Sequence, residues 1–269
     1  PSIAARHLAG PPPRPHAPIG SADKPVTARA ATPDPSAPTA TKPRPSMDAT
    51  VLLNALRRRD PGLNEAYFTQ EFLESIVGLK DRKGRAVDYY VKKLTEVADW
   101  RKTKQVDTLQ YRPQDVLPKE ILFWHGRDRE RRPVLYVRPG LVDMRNFDEA
   151  KTYNTVIARL EEGCLGLMTE GAVRFVVVID TSGVGPSYFL PGFLRQLFDL
   201  AKGPYRYRLG AVVVGPTNRI VNGVWALLSP TLPSSFLDNV VLTKDPYTAL
   251  SRFVDKDQIP VGLGLWGKE

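Results

Sequence analysis

Cysteine and histidine are nearly missing from this chain. Its 269 residues include one cysteine, Cys164, and three histidines. A single cysteine excludes an intramolecular disulfide and a zinc site built from cysteines, and it suggests a reducing, intracellular compartment. His7 and His16 fall in an N-terminal stretch poor in apolar residues, which leaves His125 alone for the folded part. A Ser-His-Asp hydrolase would have to use it, yet no G-x-S-x-G elbow accompanies it. Beside a charged turn, His125 reads as a surface or strand-end residue. Long apolar runs are also missing: nothing approaches the roughly 18 residues of a membrane-spanning helix, so a soluble or peripheral protein is expected.

What is present is a hydrophobic fraction of 42%, enough for a substantial core in one large domain or two small ones. The net charge of +9 suggests an acidic partner, nucleic acid or an anionic membrane. Its distribution argues against nucleic acid. Within residues 1–47, six basic side chains stand against two acidic ones, a local +4 that leaves a modest +5 for the rest. That segment also holds 12 of the 25 prolines and, as bulky aliphatics, only Ile3, Leu8, Ile19 and Val26. It cannot bury enough apolar area to offset ordering entropy, so residues 1–47 are expected to form a disordered Pro/Ala/Arg-rich tail. A shortage of acids also suits an organelle transit segment, though no amphipathic helix is evident. The chain begins with proline, and Met47 could itself be a start site.

Residues 48–110 read as a small helical subdomain. Val87, Tyr90, Val91, Leu94, Val97 and Ala98 recur at helical spacing ahead of Trp100-Arg101-Lys102, and Phe68, Phe72, Leu73, Ile76 and Val77 suggest a shorter helix ending near Gly78. Residues 111–269 read differently. Ile121–Trp124 and Pro133–Val137 are strand candidates around a charged turn, and Asn146–Met168 is a helix candidate. Three strand-then-helix units follow: Val173–Ile179 with Ser187–Lys202, Leu209–Val214 with Asn218–Leu228, and Val240–Thr243 with Pro246–Phe253. Continuous β-branched runs alternating with helices predict an α/β fold with a mostly parallel sheet.

Candidate chemistry along these strands is thin. Asp180-Thr-Ser-Gly183 superficially resembles the D-T-G of aspartic proteases, but no second copy supplies the partner carboxylate. Asp180 could bind metal, yet no second acid or histidine lies near it in sequence, and capping the following turn is the better role. Gly183-Val-Gly185 lacks the third glycine of a dinucleotide fingerprint and the Gly-Lys-Ser/Thr of a phosphate loop, and Pro186 removes an N–H that a phosphate would want. The expectation is a protein that is not an enzyme, with no catalytic residue, metal or cofactor.

The segment Asn218–Leu228 is more suggestive. Ile220, Val224, Leu227 and Leu228 form one apolar stripe, and Val221 and Trp225 widen it around most of the helix. Such a helix is either buried on all sides or covers an apolar cavity on one face while meeting a membrane on the other. Gly223 could act as a hinge, and Pro230 and Pro233 end the element sharply.

Several motifs in order carry a resemblance. Trp100-Arg101-Lys102 ends a helix as W-R-K; Asp128–Val134 resembles D-x-x-G-R-P-V with Arg131 at the glycine position. Val176–Asp180 is a strand ending in Asp, Tyr205–Gly210 resembles Y-P-E-R-x-G, and Trp225–Pro230 resembles W-x-x-x-K-P. On these residues the chain, from about Asp48 to Gly264, resembles the CRAL-TRIO lipid-binding family, which includes phosphatidylinositol/phosphatidylcholine and α-tocopherol transfer proteins. The closing Ile259–Gly264 only approximates the family's L-P-x-x-[FY]-G-G.

The resemblance implies a mobile gate helix over a hydrophobic cavity that holds one lipid, a phospholipid or other hydrophobic small molecule, for transport between membranes. Ile220, Val221, Val224, Trp225, Leu227 and Leu228 would form the gate, and Phe175, Val177, Ile179, Val212 and Val214 the cavity floor. Headgroup positions would be Arg82, Lys83, Tyr207 and Ser229, with Lys80 and Arg85 in the same basic cluster. Tyr207 and Ser229 stand where phosphatidylinositol-binding members carry Glu and Lys, which weakens a phosphate assignment. A cytoplasmic, peripheral monomer that visits membrane surfaces transiently is expected, with an organelle as the alternative if the tail is a transit segment. The rival reading is a scaffold or regulatory protein that keeps the fold with a reduced pocket.

Overall fold

The computed structural model describes residues 47–78, 87–108, 110–169 and 171–260. The expected tail, the basic cluster with Arg82 and Lys83, and the closing residues from Val261 onward lie outside the described residues. Three helices come first: α1 (Met47–Arg59), α2 (Gln70–Gly78) and α3 (Val87–Thr103). Then follow the strands β1 (Leu122–Arg127) and β2 (Pro133–Val137), helix α4 (Glu149–Glu162), β3 (Phe175–Asp180), α5 (Pro191–Lys202), β4 (Leu209–Gly215) and α6 (Arg219–Leu228). The short α7 (Ser234–Leu237), β5 (Val240–Leu242) and α8 (Pro246–Leu250) complete the order.

The five strands form one sheet in the order β1-β2-β3-β4-β5; β1 pairs antiparallel with β2, and every later pair is parallel. Parallel neighbours that are also consecutive need crossovers, and a right-handed crossover repeated in one direction lays its helices on one face. So α4, α5 and α6 share a face. The other face receives α8: Val134, Tyr136, Val176, Val178 and Val213 pack there with Ala249, Leu250 and Val254. Strand alternation sends every second residue to each side, which is why these β-branched runs are apolar throughout.

Helix ends follow local chemistry. Asn218 caps α6 by accepting from Ile220 N and Val221 N, each at 2.9 Å, and Asp148 caps α4 by accepting from Lys151 N at 2.8 Å. Three helices are shorter than the periodicity suggests, and the Pro246–Phe253 candidate ends at Leu250. The segment Ser187–Lys202 splits, with a 3-10 turn at Pro186–Tyr188 and α5 starting at Pro191, where a missing N–H costs nothing. Asn146–Met168 narrows to α4 followed by one wide π turn at Gly163–Leu167. Gly163 is needed there, since a Cβ would sit 2.0 Å from the Trp124 ring.

The N-terminal helices do not stand apart from the sheet. Leu52, Leu56, Phe68, Phe72, Leu73, Ile76 and Leu94 share one core cluster with Leu135, Leu160, Phe175 and Tyr205. Two buried arginines lie within the cluster. Arg101 has its guanidinium 3.8 Å from the Tyr67 ring centre and is ion-paired to Glu161, while Arg208 lies 3.5 Å from the Phe72 ring centre and donates to the Val173 and Tyr67 carbonyls. The β1–β2 turn is organised by buried Asp128, which accepts from Glu130 N, Arg132 N and the Arg132 guanidinium. Arg131, at the glycine position of the motif, adopts a φ of 63°.

Candidate functional site: an apolar pocket under helix α6

On the face shared by α4, α5 and α6, the strand registers align two rows of side chains across the sheet. Leu135, Val177, Val212 and Val240 make one row; Val137, Ile179, Val214 and Leu242 make the next. These rows floor a pocket of 360 Å³, within the scale of roughly 300–1,000 Å³ common for small-molecule sites. Walls come from Val156 and Leu160 of α4, from Phe193, Leu194, Leu197 and Phe198 of α5, and from Ile220, Val221, Val224 and Trp225 of α6. The loop before α4 adds Pro139, Val142, Met144 and Phe147, and the loop before α5 adds Val184, Tyr188 and Leu190.

Among the described residues, no side chain that carries a formal charge lines this pocket. Its four hydroxyls are already bonded within the protein: Thr152 to the Asp148 carbonyl, Thr181 to the Pro216 carbonyl, Tyr205 to Glu161, and Tyr188 to the Gly140 and Val142 carbonyls. Burial, reinforced by Glu161, holds the Tyr205 phenol well above its ordinary pKa, so it stays protonated. The arrangement can desolvate and enclose hydrocarbon.

Of the residues singled out in the sequence, Phe175, Val177, Ile179, Val212 and Val214 line the pocket together with Ile220, Val221, Val224 and Trp225. Leu227 and Leu228 do not line it; Leu227 is 53% exposed, whereas Leu228 is buried beside the next turn. Helix α6 is therefore not apolar all round. Asn222, Gly223, Ala226 and Leu227 form an exposed side, and Val221 and Trp225 face inward with Ile220. Ser229 is half-buried at the end of α6, and Tyr207 is half-buried against the core cluster that includes Phe175; neither lines the pocket.

Asp180 is buried, accepts from Ser182 N at 2.9 Å and has Arg138 Nε 3.8 Å from its other oxygen, the role of a turn cap. His125 is exposed on β1. Among the described residues no group of His, Cys, Asp or Glu could hold a metal ion, and no helix is long and apolar enough to cross a membrane. The sequence reading passed over the α5 wall. Its signal was available: Phe193, Leu194, Leu197 and Phe198 recur at helical spacing on a helix whose other side carries Arg195, Gln196 and Asp199.

The pocket and its sheet lie within residues 117–264, which match the model of the CRAL/TRIO domain. The chain belongs to the CRAL/TRIO family. This is a lipid-binding family, and the mostly parallel sheet with its covering helices is the fold it uses. Among curated proteins, protein real-time of Anopheles gambiae is 23% identical over 206 residues; the match covers 67% of this chain and 30% of that protein. The chain thus spans under a third of that relative's length. Among solved structures, the crystal structure of Sfh5 superposes with a TM-score of 0.57 at 13% identity, covering 75% of this chain and 81% of that one. That likeness concerns the fold.

Proposed function

We propose that the protein binds one hydrophobic lipid in the pocket under α6 and carries or presents it between membranes, without covalent chemistry. The observation that carries this reading is the lining itself: two rows of aliphatic side chains and three apolar helix faces, with every hydroxyl engaged inside the protein. Each CH₂ buried there is worth about 0.8 kcal/mol, so a chain of about 16 carbons resists transfer to water by more than about 10 kcal/mol. Release must then take place on a bilayer, with α6 moving as the gate and the protein visiting the membrane surface as a peripheral monomer. Family membership supports the binding role. The cytoplasmic location remains part of the proposal.

Native mass spectrometry of the protein purified from cells tests it. A co-purifying lipid, or uptake of lipid from vesicles followed by delivery to acceptor vesicles, is the expected result. A protein that stays empty in both settings would support the scaffold reading instead.

A further inference from the structure

The pocket is selective in which polar groups it can satisfy. Thr152, Thr181 and Tyr188 donate to backbone carbonyls, and Tyr205 donates to a carboxylate oxygen of Glu161. A carbonyl or carboxylate oxygen has no hydrogen to give, so the direction of all four bonds follows from chemistry. The hydroxyls therefore keep lone pairs but have no free hydrogen. Among the described lining side chains, the one remaining N–H is Nε1 of Trp225 on α6, which has no hydrogen-bond acceptor among the described residues. Charged groups next to the lining stand in ion pairs: Asp180 has Arg138, whose Nε lies 3.8 Å away and makes no hydrogen bond, and Glu161 is held by Arg101 and Tyr205.

An anionic group entering this space would lose its water and meet, among the described lining side chains, one donor and no counter-charge. A neutral oxygen needs only one donor. We infer that the pocket takes an uncharged, largely hydrocarbon lipid whose oxygen function bonds to Trp225, and that charged headgroups stay outside it. The inference rests on the carrier reading, and it adds the class of cargo.

The test uses the full chain with phosphatidylcholine vesicles doped with one member of a matched pair: hexadecanol or palmitate, dioleoylglycerol or dioleoylphosphatidic acid. Bound lipid is read by native mass spectrometry. The neutral member of each pair should be retained in about tenfold excess, the ratio that corresponds to about 1.4 kcal/mol. Trp225→Phe keeps an aromatic ring and removes the N–H; the smaller ring costs both lipids the same packing area, so the ratio of hexadecanol to hexadecane retained should fall by about three- to tenfold. Retained hexadecane also shows that the variant is folded. Preferential retention of palmitate, phosphatidic acid or the phosphatidylcholine host would overturn the inference while leaving the carrier reading intact. Equal losses of hexadecane and hexadecanol on Trp225→Phe would overturn the role given to the indole N–H. Uptake of no lipid at all would sink the carrier reading, and this one with it.

Discussion

Arg101 of α3 and Glu161 of α4 form a two-pronged ion pair sealed from solvent, with Nη1–Oε1 at 2.9 Å and Nη2–Oε2 at 2.7 Å. Tyr205, whose side chain lines the pocket, donates to the same carboxylate at 2.7 Å, and Asp107 approaches the guanidinium at 2.5 Å. The pair ties the N-terminal helices to the helix that walls the pocket. Its arginine is the middle residue of the W-R-K motif, which thereby acquires a structural meaning.

Removing one member of this pair should be far worse than removing both. Arg101→Met leaves a buried carboxylate without its partner, a loss of about 3–5 kcal/mol in urea unfolding. Adding Glu161→Leu should recover much of that loss. Arg101→Lys should not rescue stability fully, since an ammonium cannot make the planar two-pronged contact. Equal losses in the single and double variants would show that packing, not charge, dominates at this joint.

Arg131 occupies a left-handed conformation at the turn position where the motif has glycine. A side chain there costs on the order of 1 kcal/mol. Arg131→Gly should accordingly raise the thermal midpoint by about 2–4 °C for a folded region of this size. A lowered midpoint would mean that contacts of the arginine side chain outweigh the backbone strain.

Helix α6 can be probed on its exposed side without disturbing the lining. A Cβ added at Gly223 meets no atom within 4 Å, so Gly223→Ala should stabilise the helix by about 1 kcal/mol. If α6 is the gate, lipid exchange between vesicles slows while the equilibrium load is unchanged. Leu227→Asp should reduce sedimentation with vesicles and leave the melting curve in place, because Leu227 is already exposed. Unaltered sedimentation would remove the outer side of α6 from the membrane contact.

Alkaline pH should destabilise the fold in a defined window. Burial is the main reason the Cys164 thiol is pushed up to about 12, and burial likewise raises Tyr205. In the unfolded chain these groups ionise near about 8.5 and 10. Between those values and the folded ones the unfolded state binds fewer protons, so stability falls as pH rises. Denaturant midpoints should be flat to about pH 8 and decline from about pH 9 towards 12, the interval set by the two thiol values. The folded thiol should also resist disulfide reagents at neutral pH; rapid labelling would show that Cys164 is accessible in the native state.

Much of the architecture was legible because local chemistry and tertiary role coincide. Val176–Ile179 and Val212–Val214 are β-branched on both alternations, the pattern of strands covered on two faces. Asn218 and Pro230 bracket α6 by capping and by exclusion, and both act within a few residues along the chain. The five floor positions named from the family resemblance line the pocket. No comparable local rule governed the π turn that lets Gly163 pass under Trp124.

What the sequence determined by itself was therefore the strand-helix alternation from Val173 onward, the covered sheet and the family. Tertiary structure decided which side of each element became the pocket. Val221 and Trp225 differ little from Leu227 in hydrophobicity, yet the packing of α6 over the sheet turns the first two inward and leaves the third in solvent. It also decided the electrostatics. Arg101, Glu161 and Tyr205 are scattered along the chain and say nothing about each other until packing removes the water between them; at that point each can be buried only because the others are there.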